Sequence, residues 1–261
     1  MKKFAILNSN TLKIIAAVSM VFDHIGVLFF PYSVFWRFVG RIAFPIFAFM
    51  ISEGARYTKN KLKYFLTVFS LATLCQIVYY FFDGGSLYMC ILVTFSISIL
   101  LIYLLNFTKK LLFDKSAKWY FKLGAVLAFI LAIAAVYFIT SKEFVEKTGI
   151  YIDYGFAGIM TPVFASLFDF RNIDVPDDIR KIDCLPARVF CLVLPLIALA
   201  CGSDVTGVQA YALLAIPLLL LYSGERGKLK MKYFFYIFYP AHLAILTGLY
   251  MLTMIIKHGG I

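Results

Sequence analysis

A lysine and a histidine stand eleven residues apart near the start of the chain, in TLKIIAAVSMVFDHIG, as Lys13 and His24. On a helix, eleven steps of about 100° return both side chains to nearly one face, about 16 Å apart along the axis. An imidazole ordinarily titrates near neutrality and suits proton transfer, and a cation on the same face can hold an anionic group. Asp23 adjoins His24 in sequence but points about 100° away, so it need not be its partner. Two plainer readings stand beside that chemistry. Lys13 can snorkel to lipid headgroups, and Asp23–His24 can be an outer helix end.

Three further places carry ionisable groups inside apolar runs. In RFVGRIAFPIFAFMISEG, Arg37 and Arg41 are four apart and share a helical face. Their expected partners are anionic: Asp23, Asp153 or a ligand phosphate. Gly40 permits close approach, Pro45 is expected to kink the helix, and Glu53 with Arg56 closes its far end, in the plain reading as an interfacial ion pair. In DYGFAGIM, Asp153 and Tyr154 precede Gly155 and Gly158, and Asp153 reads either as a helix cap or as a polar group facing the substrate. In YIFYPAHLAIL, Pro240 is expected to break its helix and free carbonyls, with His242 just beyond, either hydrogen-bonded in a structural role or closing a cavity. His258 reads as a solvated residue of the external tail.

The elements that must hold these groups follow from composition. The 261 residues are 62% apolar and only 15% charged, with a mean hydropathy of +0.89. A soluble domain carries about 25% charged residues, so a soluble enzyme is close to excluded. Nine apolar segments lie at about 10–31, 36–55, 62–82, 86–107, 119–140, 151–168, 186–201, 206–222 and 233–256. Backbone groups in lipid must be satisfied within their own segment, so each is read as a helix. The expected fold is all-α, a polytopic transmembrane bundle of about nine helices (eight to ten). It forms a single domain over residues 1–261. The segments at 151–168 and 186–201 are short and are expected to tilt, re-enter or pack inside.

The net charge of +11 sits in clusters between the apolar runs, as membrane topology requires, and does not point to nucleic acid. Nineteen of the 25 lysines and arginines fall in the N-terminal tail and alternate loops, three in the other loops and C-terminus. That split predicts a cytoplasmic N-terminus and, with nine spans, an external C-terminus. The five cysteines (Cys75, Cys90, Cys184, Cys191, Cys201) are scattered and read as small core residues, and no metal cluster is visible.

The stretches LKIIAAVSMVFDHIGVLFFP, WRFVGRIAFPIFAFMISEGARYTKNKLKYFL, IDYGFAGIMTP and KYFFYIFYPAHLAIL resemble the TraX family, in that family's order. The family is named for a protein implicated in N-terminal acetylation of pilin. Its members are similar to the acyltransferase-three superfamily of membrane acyltransferases, in which a basic residue, ten spacers and a catalytic His open the first helix. Lys13 and His24 match that pattern. Where those relatives open the fourth helix with Asn, this chain has Cys90. Residues 165–190 and the fifth helix match nothing comparable.

The resemblance implies a multi-pass protein of the bacterial inner membrane that uses acetyl-CoA or another acyl-CoA from the cytoplasm. The acceptor is an amine or hydroxyl of a peptide, glycan or small molecule at or beyond the outer half. On this reading the bundle encloses a tunnel running beside the first two helices. Lys13 and Arg56, with Lys59 and Lys63, hold the CoA phosphates at its mouth, and Arg37 is a further candidate. His24 is the general base. Asp23, Arg41 or Asp153 orient the ring or the acceptor, or Arg41 steadies the oxyanion. Glu53, Asp153, Tyr154 and His242 complete the polar set. A proton-coupled transporter using the same line of ionisable groups is the alternative.

Overall fold

Prolines and glycines set much of the helical architecture. The structure, a computed structural model, describes residues 5–82, 85–202, 207–228 and 231–258. Lys2, Lys3, Lys230 and the side chains of Lys232 and His258 lie outside the described residues. The helices are α1 (Ser9–Phe29), α2 (Val34–Gly40), α3 (Ala43–Tyr57), α4 (Lys61–Phe82), α5 (Ile91–Phe113), α6 (Trp119–Ile139) and α7 (Lys142–Thr148). They continue with α8 (Gly155–Ala165), α9 (Asp177–Arg180), α10 (Leu185–Phe190), α11 (Val193–Gly202), a 3-10 helix (Val208–Leu214), α12 (Ala215–Leu220) and α13 (Lys232–His258).

Among the described residues, seven helical stretches are long and apolar enough to cross a membrane: Ser9–Phe29, Val34–Tyr57, Lys61–Phe81, Ile91–Phe113, Trp119–Ile139, Leu185–Gly202 and Phe234–Lys257. Two shorter apolar ones, Gly155–Ala165 and Val208–Leu220, account for the other expected segments. The eleven residues of α8 span about 16 Å at 1.5 Å per residue, half of a bilayer core of about 30 Å. The segment expected at 86–107 begins at Ile91, because Tyr88–Met89 (β1) pairs in parallel with Tyr151–Ile152 (β2).

Proline removes a backbone donor and crowds the carbonyl four residues earlier. Three interruptions lie at that distance. α2 gives way to α3 at Arg41–Ile42, four before Pro45; α10 to α11 at Cys191–Leu192, four before Pro195; and the 3-10 helix to α12 next to Leu213, four before Pro217. Pro240 departs from expectation: α13 runs unbroken through it. An isolated proline in a long apolar helix loses one hydrogen bond while the turns on either side keep theirs.

The chain divides into two compact units. The first comprises 1–47 and 200–261. Here α1 and α2 form an antiparallel hairpin closed by small residues. A Cβ on Gly26 would meet Trp36 Cβ at 2.5 Å, and one on Gly40 would meet Asp23 Cβ at 2.3 Å. The Ser19 hydroxyl donates to the Val39 carbonyl and, at 3.2 Å, to that of Gly40. The Asn8 side chain caps α1 by accepting from Thr11 N at 3.0 Å. Ser9 N donates to Glu225 O, and Leu7 bridges to Tyr222.

The second unit comprises Ala48–Leu199 and is built around α5. Its core gathers Ala55, Leu101, Ile102, Leu105, Val136, Ile152, Ile159, Met160 and Val163. Hydroxyls stitch α5 to the α8 region: Ser98 donates to Ile159 O and Thr94 to Asp153 O, both at 2.7 Å.

Candidate functional site

In the first unit, Lys13 and His24 both turn toward α13. The Lys13 ammonium lies 5.9 Å from the Phe235 ring centroid, and the His24 ring lies edge-to-face with His242 at 5.1 Å and 87°. Farther along, Phe29 meets Tyr250 at 5.9 Å. Partners that rise together in number make α1 and α13 parallel. On the side of α1 toward α2 the two helices come into close contact at Gly26 and Gly40.

The acidic partner of the arginines is Asp23. Arg41 Nη2 donates to both its carboxylate oxygens, at 2.6 and 2.8 Å, and Arg37 Nε lies 3.2 Å from Oδ1. The Arg41 side chain is 6% exposed and that of Arg37 37%. The break before Pro45 sets Arg41 at the end of α2, one turn beyond Arg37, and Gly40 lets the Asp23 backbone come close enough for both. Two guanidinium groups thus meet on one carboxylate.

The His24 ring is held by its own helix, while the Asp23 carboxylate is turned to the arginines. The ring Nδ1 sits 2.8 Å from the Met20 carbonyl on the preceding turn. His242 is held the same way, Nδ1 to Phe238 O at 2.9 Å, and stacks on the Phe238 ring at 5.0 Å and 9°. Its Nε2 is buried without a hydrogen-bond partner.

In the second unit, the expected Glu53–Arg56 ion pair is replaced by two other pairings. Glu53 pairs with Arg188, both almost fully buried. Arg56 Nη1 donates to Asp169 at 2.9 Å and Asp183 at 2.6 Å. Its charge is therefore met by two carboxylates. On α3, Glu53 and Arg56 are three apart and could have paired, but each has a stronger buried partner from the 169–188 stretch. Lys59 and Lys63 are exposed. Lys63 lines an open depression of about 340 Å³ with Asn60, Leu62, Leu66, Thr67 and Ser70.

Sequence reasoning missed Lys109. By sequence it falls among the lysines of the basic alternate loops, yet it is 8% exposed, and its ammonium donates to the Ser166 and Asp169 carbonyls at 2.8 and 2.7 Å. These carbonyls follow the C-terminus of α8, where a cation meets the negative end of the helix dipole. The missed signal was the five aspartates between 169 and 183, an acidic loop beside an otherwise basic set.

Asp153 does not cap α8. The capping position is Tyr154, in the left-handed region at φ 59°, and a Cβ on Gly158 would collide with the Tyr154 Cβ at 2.2 Å. Asp153 instead accepts from the Tyr88 hydroxyl. Burial, reinforced by that carboxylate, keeps the Tyr88 hydroxyl protonated well above its ordinary range. Gln76 grips the same corner, donating to Tyr88 O at 2.8 Å and accepting from Cys90 N at 3.2 Å.

A chain with seven helices long and apolar enough to cross a membrane among its described residues, and with ion pairs buried beside them, is a multi-pass helical membrane protein. The family profile described as TraX protein matches residues 8–250, and the chain belongs to the TraX family. A relative from Dichelobacter nodosus, described as "Probable fimbrial assembly protein FimC, serogroup H1", is 26% identical over 91% of this chain and 93% of its own length. No solved structure matches the chain.

Proposed function

We propose that this chain is a bacterial inner-membrane acyltransferase. It takes an acetyl group from cytoplasmic acetyl-CoA and passes it to an amine or hydroxyl in the outer half of the membrane. The observation that carries this reading is the shared orientation of Lys13 and His24, which meet α13 at Phe235 and His242. Lys13 holds a phosphate of the thioester and His24 accepts a proton farther along the same face. The favoured acceptor is a pilus or fimbrial subunit, in keeping with the name of the Dichelobacter relative.

His24 Nδ1 faces a carbonyl, which only accepts, so Nδ1 carries the hydrogen and Nε2 keeps the lone pair. As the acceptor nucleophile bonds to the acyl carbon, Nε2 takes its proton. The C–S bond breaks with its electrons on sulfur, and the proton then passes to the departing thiolate. The thioester is already activated, so no acyl-enzyme is needed. The Asp23–Arg41 pair fixes α1 against α2, and Arg37, half-exposed with its outer nitrogens available, is free to meet an anionic group of the acceptor.

Purified protein in liposomes with radiolabelled acetyl-CoA tests this. His24→Ala should lower acyl transfer about 10²–10⁴-fold with normal yield; wild-type turnover in that variant removes His24 from the role. Lys13→Ala should raise the KM for acetyl-CoA about tenfold at similar kcat; an unchanged KM refutes the phosphate assignment. Two histidines without a carboxylate partner also suit a proton path. Proton-coupled uptake without acetyl-CoA turnover would favour the transporter.

A further inference from the structure

We propose that His24 and His242 act as one proton-sharing pair, in which His242 is a positioning residue whose Nε2 accepts a hydrogen bond from the protonated His24. This rests on the acyl-transfer reading. Both rings are fixed in the same tautomer, because each Nδ1 lies against the carbonyl of the residue four earlier, Met20 O at 2.8 Å and Phe238 O at 2.9 Å. Each neutral ring therefore keeps its lone pair on Nε2.

That nitrogen in His242 is buried with nothing to pair with it, in a residue 6% exposed. A buried acceptor left unsatisfied is unfavourable. The facing ring of His24 is 5.1 Å away, centroid to centroid. A proton arriving on His24 supplies the donor that His242 lacks.

The surroundings favour this over a pairing with a carboxylate. One face of His242 is covered by Phe238, and Tyr239 lies 5.7 Å from it on the same helix. On α1 the charged neighbours are Asp23, whose carboxylate is turned to Arg37 and Arg41 of α2, and Lys13, which lies over Phe235. His242 is thus the group placed to steady the imidazolium.

During transfer the nucleophile's proton moves to His24 Nε2 as the new acyl bond forms and the C–S bond breaks. The hydrogen bond to His242 holds that proton until the thiolate sulfur collects it.

The test compares wild type with His242→Phe and His242→Gln in acetyl-CoA turnover across pH. Losing the acceptor lowers the proton affinity of His24, so His242→Phe should move the acidic limb of the rate profile down by about one pH unit. It should also reduce kcat about tenfold while leaving the KM for acetyl-CoA in place. The carbonyl of His242→Gln still accepts and should restore most of both. A limb that stays put in His242→Phe overturns the proposal, because a merely structural histidine would lower the rate alike at every pH. Selective ¹⁵N labelling of the three histidines, with His258→Gln to assign them, gives a readout independent of turnover. The Nε2 signals of His24 and His242 should move together on uptake of one proton, and independent movement overturns the proposal. Coupled signals in a wild type without acetyl-CoA turnover would refute the acyl-transfer reading and keep the pair.

Discussion

Asp23 holds two arginines and is itself only 17% exposed in its side chain. Replacing it with asparagine leaves Arg41 buried against a neutral partner. Asp23→Asn should therefore destabilise the protein by about 3 kcal/mol, read as an earlier midpoint on denaturant titration in detergent micelles. The Glu53–Arg188 pair gives a two-step version. Glu53→Gln alone should cost about 3–5 kcal/mol, whereas Glu53→Leu with Arg188→Leu should return to within about 1–2 kcal/mol of wild type. A double variant as unstable as the single one would mean that the pair contributes more than mutual neutralisation. These residues also show how far a sequence can be read. Asp23 was one of three anionic candidates for Arg37 and Arg41, and spacing along the sequence does not choose among them. Arg56 went to Asp169 and Asp183 instead of Glu53 because those carboxylates arrive from a segment more than a hundred residues away, and no local pattern announces it.

At the level of elements, the α1–α2 hairpin depends on the absence of a Cβ at two positions. Gly40→Ala would drive its methyl into Asp23 and should cost about 1–3 kcal/mol. Gly124 in α6 is the control, since nothing lies within 4 Å of its added Cβ; Gly124→Ala should be neutral or slightly stabilising. Equal losses at both sites would sink the close-packing account. The expected kink at Pro45 was readable because proline acts on its own helix, four residues back. The continuity of α13 through Pro240 was not, because whether a helix survives one missing bond depends on the packing of its flanking turns. The start of α5 was misread by five residues because apolar Leu87–Cys90 looks helical by composition, while pairing with β2 and the grip of Gln76 decide otherwise.

For the whole molecule, parallel first and last helices require an odd number of crossings. The seven long spans satisfy this, as does a count of nine with both short apolar helices. Reporters fused at the two ends should therefore report opposite sides of the membrane. If the basic loops lie inside, as the charge split predicts, a C-terminal alkaline phosphatase fusion should be active and an N-terminal one inactive, and matching signals would break the parallel arrangement. Hydropathy made the membrane class and the number of apolar segments legible. It also marked the segment at 151–168 as short, but not how little of it is helix, because the apolar run continues through β2 on one side of α8 and Phe168 on the other.

The first compact unit is assembled from the two ends of the chain, with Ala48–Leu199 inserted between them. The opening helix leaves the ribosome long before residues 221–225, which clasp its base through Leu7 and Ser9, and before α13, which covers His24. During synthesis its contacts with residues 221–225 and with α13 stay unmade while the whole middle of the chain is threaded. A nascent chain halted at Ser223 should accordingly be a substrate for membrane quality-control proteases, and one released after His258 should survive them. The histidine face is then among the last surfaces to close, and no truncated product carries a finished one.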